Sequence, residues 1–201
     1  MGKLILVRHG ESVGNRAQIF TTTPHELALT ELGYEQAQQA GHFIAKTFRT
    51  EVVVTSPYIR ARETARIIAE ILQLPLEIEP YLHERDVGTL KGQPYESVFA
   101  APGYNPQRPW LWEPPGGESF EDVKRRVGPI LDRLAAAHPS RDVVVVSHGG
   151  VMMALWAHVT GVWDNAHVPP NCGIILIEHH SKGYLAPQVI GDGARDKFTG
   201  G

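Results

Sequence analysis

Three short apolar runs with no polar interruption constrain this chain most: Leu4-Ile5-Leu6-Val7, Val52-Val53-Val54 and Val143-Val144-Val145-Val146. A strand with one face in water alternates apolar and polar residues. A strand that is apolar throughout is buried on both faces, as in the middle of a parallel sheet. Each run is followed by a segment that reads as helix. Repeated strand-then-helix units predict an α/β fold of three layers, α/β/α, with a mostly parallel central sheet and helices on both faces. The late stretches 173–177 and 184–190 predict a closing strand pair, turned at Ser181-Lys182-Gly183.

The helices have readable starts. Thr30 is placed to cap one that runs to about Phe48. Ser56-Pro57 reads as an N-cap followed by proline at the first helical position, where a missing N–H costs nothing. Ala61, Ala65, Ile68 and Leu72 form the buried stripe of that helix. Ser119 and Asp122 make a capping box, and Phe120, Val123, Val127, Ile130 and Leu134 follow as one buried face. Pro129 inside this helix predicts a kink near residue 125. With 201 residues, the chain fits one well-filled domain, residues 1–201, better than two. The irregular, proline- and tryptophan-rich stretch 100–117 reads either as a lid or as a surface loop pinned by its tryptophans. The lid or substrate loop would span about 93–118. The tail from Gly191 reads as loose, with Phe198 as its one candidate anchor.

A net charge of −3 gives no general affinity for nucleic acid or an anionic membrane, so any phosphate site must come from a few local residues. No stretch reaches the roughly 18 apolar residues that span a bilayer, and Arg8 and His9 cut off the first apolar run before it resembles a signal peptide. The one cysteine, Cys172, reads as a packed core residue and excludes an internal disulfide. A cytoplasmic protein is expected.

The chemistry clusters at strand ends. Arg8-His9-Gly10-Glu11-Ser12, with Asn15 following, falls at the carboxyl end of the first strand, the edge where open α/β sheets bind ligands. His148-Gly149 falls at the same edge after another strand. Arg60, one turn into the helix after the second strand, can reach this edge with a guanidinium fork that matches two phosphate oxygens. Arg62 and Arg66 lie off the buried stripe and read as solvated. No His-Glu-x-x-His pattern and no P-loop is present. His42, His138, His158, His167, His179 and His180 read as surface or structural residues.

At these residues the chain resembles the histidine phosphatase superfamily, which includes the phosphoglycerate mutases. Four motifs match in order: Arg8-His9-Gly10-Glu11-Ser12 with Asn15; Ser56-Pro57-Tyr58-Ile59-Arg60-Ala61 with Thr64-Ala65; Leu82-His83-Glu84-Arg85 with Gly88 and Gly92; and Ser147-His148-Gly149-Gly150. The resemblance implies His9 as a nucleophile that becomes a phosphohistidine. Arg8, Arg60 and His148 would be positive donors to the phosphoryl group. Asn15, Gly149 and Thr21 would be further substrate contacts. It implies Glu84 as the acid that protonates the leaving oxygen and then as the base toward water. From spacing alone Glu84 reads as a surface carboxylate paired with Arg85. The scheme requires no metal and no cofactor.

The same resemblance leaves three readings. A phosphomonoesterase for a small phosphorylated metabolite, releasing inorganic phosphate, is favoured by His148-Gly149-Gly150 and by Pro115-Gly116-Gly117-Glu118-Ser119. A cofactor-dependent phosphoglycerate mutase is favoured by Glu84-Arg85 with Gly88 and Gly92. A non-catalytic phosphate-binding module is the third. A homodimer stays open. In the loop, Trp110, Trp112, Tyr104 and Phe99 would suit an apolar leaving group, and Arg108 or Lys91 an anionic one.

Overall fold

The valine runs are apolar throughout because each strand serves two cores at once. In the computed structural model, which describes residues 1–20, 27–166 and 168–190, the three runs are β1 (Gly2–Arg8), β2 (Thr50–Thr55) and β4 (Asp142–Ser147). Successive strand side chains point to opposite faces. Leu4, Leu6, Val52, Val54, Val143 and Val145 therefore pack on one face, against Val123, Val127 and Leu131 of α4 (Phe120–Ala137) and Met152 and Leu155 of α5 (Gly149–Thr160). Ile5, Val7, Val53, Val144 and Val146 pack on the other, against Ile44 of α2 (Glu31–Thr47) and Ala61, Ala65 and Ile68 of α3 (Ile59–Leu72). Fully burying one such large aliphatic side chain contributes about 1.5–3 kcal/mol, so neither face can be left in water.

The sheet order is β3-β2-β4-β1-β5-β6, with β7 also paired to β5. β3 (Leu76–Ile78), β2, β4 and β1 are parallel. β5 (Ile174–His180) runs antiparallel to β1, and β6 (Gly183–Tyr184) and β7 (Gln188–Ile190) run antiparallel to β5. The architecture is the expected three-layer α/β/α, with a mixed sheet built on a four-stranded parallel half. Among the described residues no helix is long and apolar enough to cross a membrane.

From β1 the chain crosses by α2 on one face to β2, and from β4 by α5 on the other face to β5. The crossovers diverge between β1 and β4, and an open α/β sheet forms its crevice at such a point. The register pairs Val7 with Val146 and Arg8 with Ser147, so the next residues along, His9 and His148, leave the sheet side by side.

Local signals were read with uneven success. Thr30 caps α2, and its side chain accepts from the Gly33 N–H. Ser119 and Asp122 form the capping box of α4, which continues through Pro129. The start of α3 differs from expectation: its N-cap is Tyr58, without a side-chain cap, and the helix begins at Ile59. Ser56 lies two residues before that cap, where its Oγ accepts from the Tyr58 N–H and also bonds His148. β3 was not anticipated, because its three residues are all exposed and too few to show a pattern. The tail from Gly191, with Phe198, lies outside the described residues.

Candidate active site

Local packing fixes His9 before any ligand is considered. Its backbone N–H donates to the Ser147 carbonyl at 2.9 Å, which locks it to the end of β4. The Asn171 side-chain amide donates to the His9 carbonyl at 3.0 Å. Gly10 and Gly33 face each other so closely that a side chain on either would run into the other segment's backbone. The first turn of α2 thus presses directly on the loop that carries His9. The Gly10 N–H donates to Thr64 Oγ1, whose own hydrogen goes to the Arg60 carbonyl, coupling this loop to the first turns of α3.

The hydrogen bonds also fix the His9 tautomer. Nδ1 lies 2.8 Å from the Gly10 carbonyl oxygen. A carbonyl can only accept, so Nδ1 carries the hydrogen and Nε2 keeps its lone pair. Arg60 Nε–H donates to that lone pair at 3.1 Å. Burial, then the Arg60 and Arg8 guanidiniums, hold the imidazole well below its ordinary 6.5. His9 is therefore a neutral imidazole with an unprotonated Nε2 inside a cationic cluster.

His148 is fully buried, with its ring 5.2 Å from that of His9. Its Nε2 lies 2.7 Å from Ser56 Oγ. Ser56 Oγ already accepts from the Tyr58 N–H, and among the described residues its hydrogen has no acceptor but His148. The hydroxyl therefore donates to Nε2, and the hydrogen of His148 sits on Nδ1. Burial and the Arg60 charge hold His148 well below its ordinary value as well. His148 Nδ1, Arg8 Nε and Arg60 Nη1 are buried without a protein hydrogen-bond partner. Such groups are costly in a folded protein. Three gathered at one crevice, two of them on guanidiniums, suit an anion rich in acceptor oxygens.

Glu84 faces this group across the start of α5. Its Oε1 accepts from the Arg85 N–H at 2.8 Å and its Oε2 from the Gly150 N–H at 3.4 Å. It does not pair with the Arg85 guanidinium. The cleft has a volume of about 440 Å³ and is lined by Arg8, His9, Asn15, Arg60, Glu84 and Gly149, together with Phe20, Tyr58, Arg85, Asp86, Val87, Lys91, Tyr95, Phe120, Gly150 and Val168.

The structure thus brings His9, Arg8, Arg60, His148, Glu84, Asn15 and Gly149 together. Asn15 is held by the capping box of α1 (Val13–Ala17), and its Nδ2 donates to the Tyr95 hydroxyl. Arg108 and Trp110 do not line the cleft. Arg108 is exposed, and Trp110 stacks on Trp163 with ring centres 6.1 Å apart. Trp112 is buried and donates to the Pro102 carbonyl. These contacts pin the loop. Thr21 lies outside the described residues. Sequence reasoning gave no site role to Asn171, Phe20, Tyr95 and Val168, and read Ser56 only as a helix cap and Phe120 only as part of a buried helix face. Ser56 stood in a matched motif and could have been found there; the others join the cleft only through tertiary packing. Cys172 packs beside the core with its thiol pushed up by burial to about 12, a poor nucleophile.

The two buried histidines have a measurable consequence. In the unfolded chain each takes up a proton near 6.5, and in the fold both resist it to well below that value. The unfolded state therefore binds more protons as pH falls, and stability drops. The melting temperature of the ligand-free protein is expected to fall between about pH 7 and pH 5, above the range where ordinary carboxylates titrate. A flat or rising melting temperature over that interval would contradict the buried neutral pair.

The fold gathers two histidines, two arginines and a glutamate in one cleft, and comparison with known proteins gives the chain a family. The chain belongs to the histidine phosphatase superfamily (branch 1), whose family model matches residues 4–189. It is 34% identical over 170 residues to a metal-independent phosphoserine phosphatase from Arabidopsis thaliana, covering 79% of this chain and 68% of the relative. It is 36% identical over 162 residues to a 2,3-bisphosphoglycerate-dependent phosphoglycerate mutase from Methylobacterium sp. (strain 4-46), covering 76% and 77%. Among solved structures, a mycobacterial glucosyl-3-phosphoglycerate phosphatase complexed with VO3 superposes with a TM-score of 0.81 at 27% identity, covering 94% of this chain and 97% of that one.

Proposed function

We propose that this chain is a metal-independent phosphomonoesterase that acts on a small phosphorylated metabolite through a phosphohistidine at His9. The fixed tautomer of His9 carries the proposal: an unprotonated Nε2 beside two buried arginines. A phosphate monoester dianion would bind Arg8, Arg60 and His148 Nδ1, with Asn15 and Gly149 at its edge. The Nε2 lone pair forms the N–P bond as the ester P–O bond breaks, and Glu84 gives its proton to the leaving oxygen. Glu84 as carboxylate then takes a proton from water, the new P–O bond forms and the N–P bond breaks. Inorganic phosphate leaves, and His9 is again neutral. The arginines neutralise the charge that a metal neutralises in other phosphatases.

A mutase must also hold a second anionic group. The cations of the outer cleft have other partners: Lys91 pairs with Asp86 at 2.7 Å, and Arg85 donates to the carbonyls of Glu118 and Trp112. This favours hydrolysis. The lone, buried-thiol cysteine asks for no oxidising compartment, in keeping with a cytoplasmic enzyme. The test offers phosphate monoesters in the presence of a chelator, and 3-phosphoglycerate with catalytic 2,3-bisphosphoglycerate. Phosphate release that survives the chelator is expected. Isomerisation faster than phosphate release would overturn the reading in favour of a mutase, and loss of activity to the chelator would overturn metal independence.

A further inference from the structure

The cleft has two halves of opposite character. The inner half is cationic and takes the phosphoryl group. The outer half is walled by Phe20, Val87, Tyr95, Phe120 and Val168. Each of its two cations is held by other groups. Lys91 is bound to the Asp86 carboxylate. Arg85 lies flat against Phe120, 4.1 Å from the ring centre, and 5.5 Å from that of Trp112, while Nε and Nη2 donate to backbone carbonyls. Arg85 is thus part of the wall. Tyr95, which stacks edge-on against Phe20, meets the Asn15 amide with its hydroxyl and brings no charge.

The acid locates where the alcohol must leave. A Cβ on Gly150 would stand 2.6 Å from Glu84 Oε1 and 3.1 Å from Phe120 Cε1. The carboxyl that would protonate the leaving oxygen and the edge of the Phe120 ring therefore meet over one bare backbone position. An alcohol whose oxygen reaches Glu84 has its first carbons beside Phe120. An anionic substituent there would lose its hydration against apolar rings and face the Glu84 carboxyl, while the free donors of Arg8 and Arg60 are taken by the phosphoryl group and Lys91 and Arg85 have other partners.

We propose that this cleft selects monoesters whose alcohol is uncharged and bears an apolar, ring-sized group, and that Phe120 is the residue that selects it. The proposal rests on the phosphatase reading of the same site. It excludes small acidic alcohols such as hydroxy-carboxylates and hydroxy-amino acids as preferred leaving groups.

The test is binding of two stable phosphonates with the same methylene linker, benzylphosphonate and phosphonoacetate, measured by calorimetry, alongside hydrolysis of 2-phenylethyl phosphate and O-phosphoserine. Benzylphosphonate is expected to bind about tenfold or more tightly than phosphonoacetate. Phe120→Ala should erase most of that ratio while leaving the affinity for inorganic phosphate within about twofold. Because Phe120 opens a helix and that variant could fold poorly, Tyr95→Lys is the second arm. A cation placed in the outer cleft should shift the ratio toward phosphonoacetate by a similar factor. Equal or tighter binding of phosphonoacetate to the unaltered protein overturns the proposal, and so does an unchanged ratio in a folded Phe120→Ala. If benzylphosphonate wins but neither ester is hydrolysed, the phosphatase reading fails while the selectivity stands.

Discussion

His9→Ala is expected to lower kcat at least about 10⁴-fold and to abolish acid-labile phosphoryl labelling by substrate. Inorganic phosphate should still bind the variant, because Arg8, Arg60 and His148 are untouched and three of their buried donors are without protein partners. Loss of turnover with binding retained separates a nucleophile from a residue that merely holds the pocket open. Removing His9 also removes the acceptor of the Arg60 Nε–H, so phosphate affinity should if anything rise. Quench-flow with radiolabelled substrate, followed by calorimetry with phosphate, measures both halves. Turnover within about tenfold of the unaltered protein would end the phosphohistidine mechanism.

Glu84→Gln is expected to be nearly as severe for ordinary alcohols, with kcat lower by about 10²–10⁴-fold. The glutamine amide can keep the geometry at the start of α5, where Glu84 now accepts from the Arg85 and Gly150 N–H groups, but it has no proton to give. The defect should therefore depend on the substrate. With 4-nitrophenyl phosphate the leaving oxygen needs little protonation. Phosphorylation of His9 should then stay fast while its hydrolysis, which needs the base, becomes limiting. A burst of nitrophenolate followed by slow turnover, with phosphohistidine accumulating, is the expected record. An equal loss on both substrates, with no burst, would make Glu84 a structural residue.

The strands and the His9 side of the cleft were legible because they depend on local pattern. The unbroken valine runs could be read as two-faced strands, and they proved to feed one core through Leu4, Val52 and Val143 and the other through Ile5, Val53 and Val144. Thr30 and Ser119 announced their helices through capping chemistry that acts within four residues. Ser56 misled for a tertiary reason. A serine before proline looks like the cap itself, but Ser56 lies two residues before the N-cap Tyr58, and its hydroxyl, while accepting from the Tyr58 N–H, also serves His148 across 92 positions, which no local rule reveals. The outer cleft was misread for the same reason. Trp110 and Arg108 were the conspicuous residues of the proline-rich loop, yet Trp110 faces Trp163. The wall falls to Tyr95, near the start of the 93–118 loop and ahead of its proline-rich part, and to Phe120, just after it. The placement of Phe120 beside Glu84 depends on Gly150 having no side chain, which sequence spacing does not reveal.

The division of the cleft between two kinds of scaffold has a consequence for how such a protein can change over generations. The residues proposed to grip phosphate hang from strand ends and first helical turns, cross-braced by the Ser147 carbonyl, Thr64 and Asn171, where a replacement disturbs a neighbour. The residues that meet the alcohol stand on a short 3₁₀ segment at Tyr95, on the opening residue of α4 and in the connection that carries Val168. Each meets the inner cleft at one place: Tyr95 at Asn15, Phe120 beside Glu84 over Gly150, and Val168 over Gly149. Substitution at these outer positions can retune which alcohol is accepted while the chemistry stays intact. On the proposed reading, a lineage built on this plan would change substrates through positions such as Tyr95, Phe120 and Val168 while the strand-end residues stay fixed.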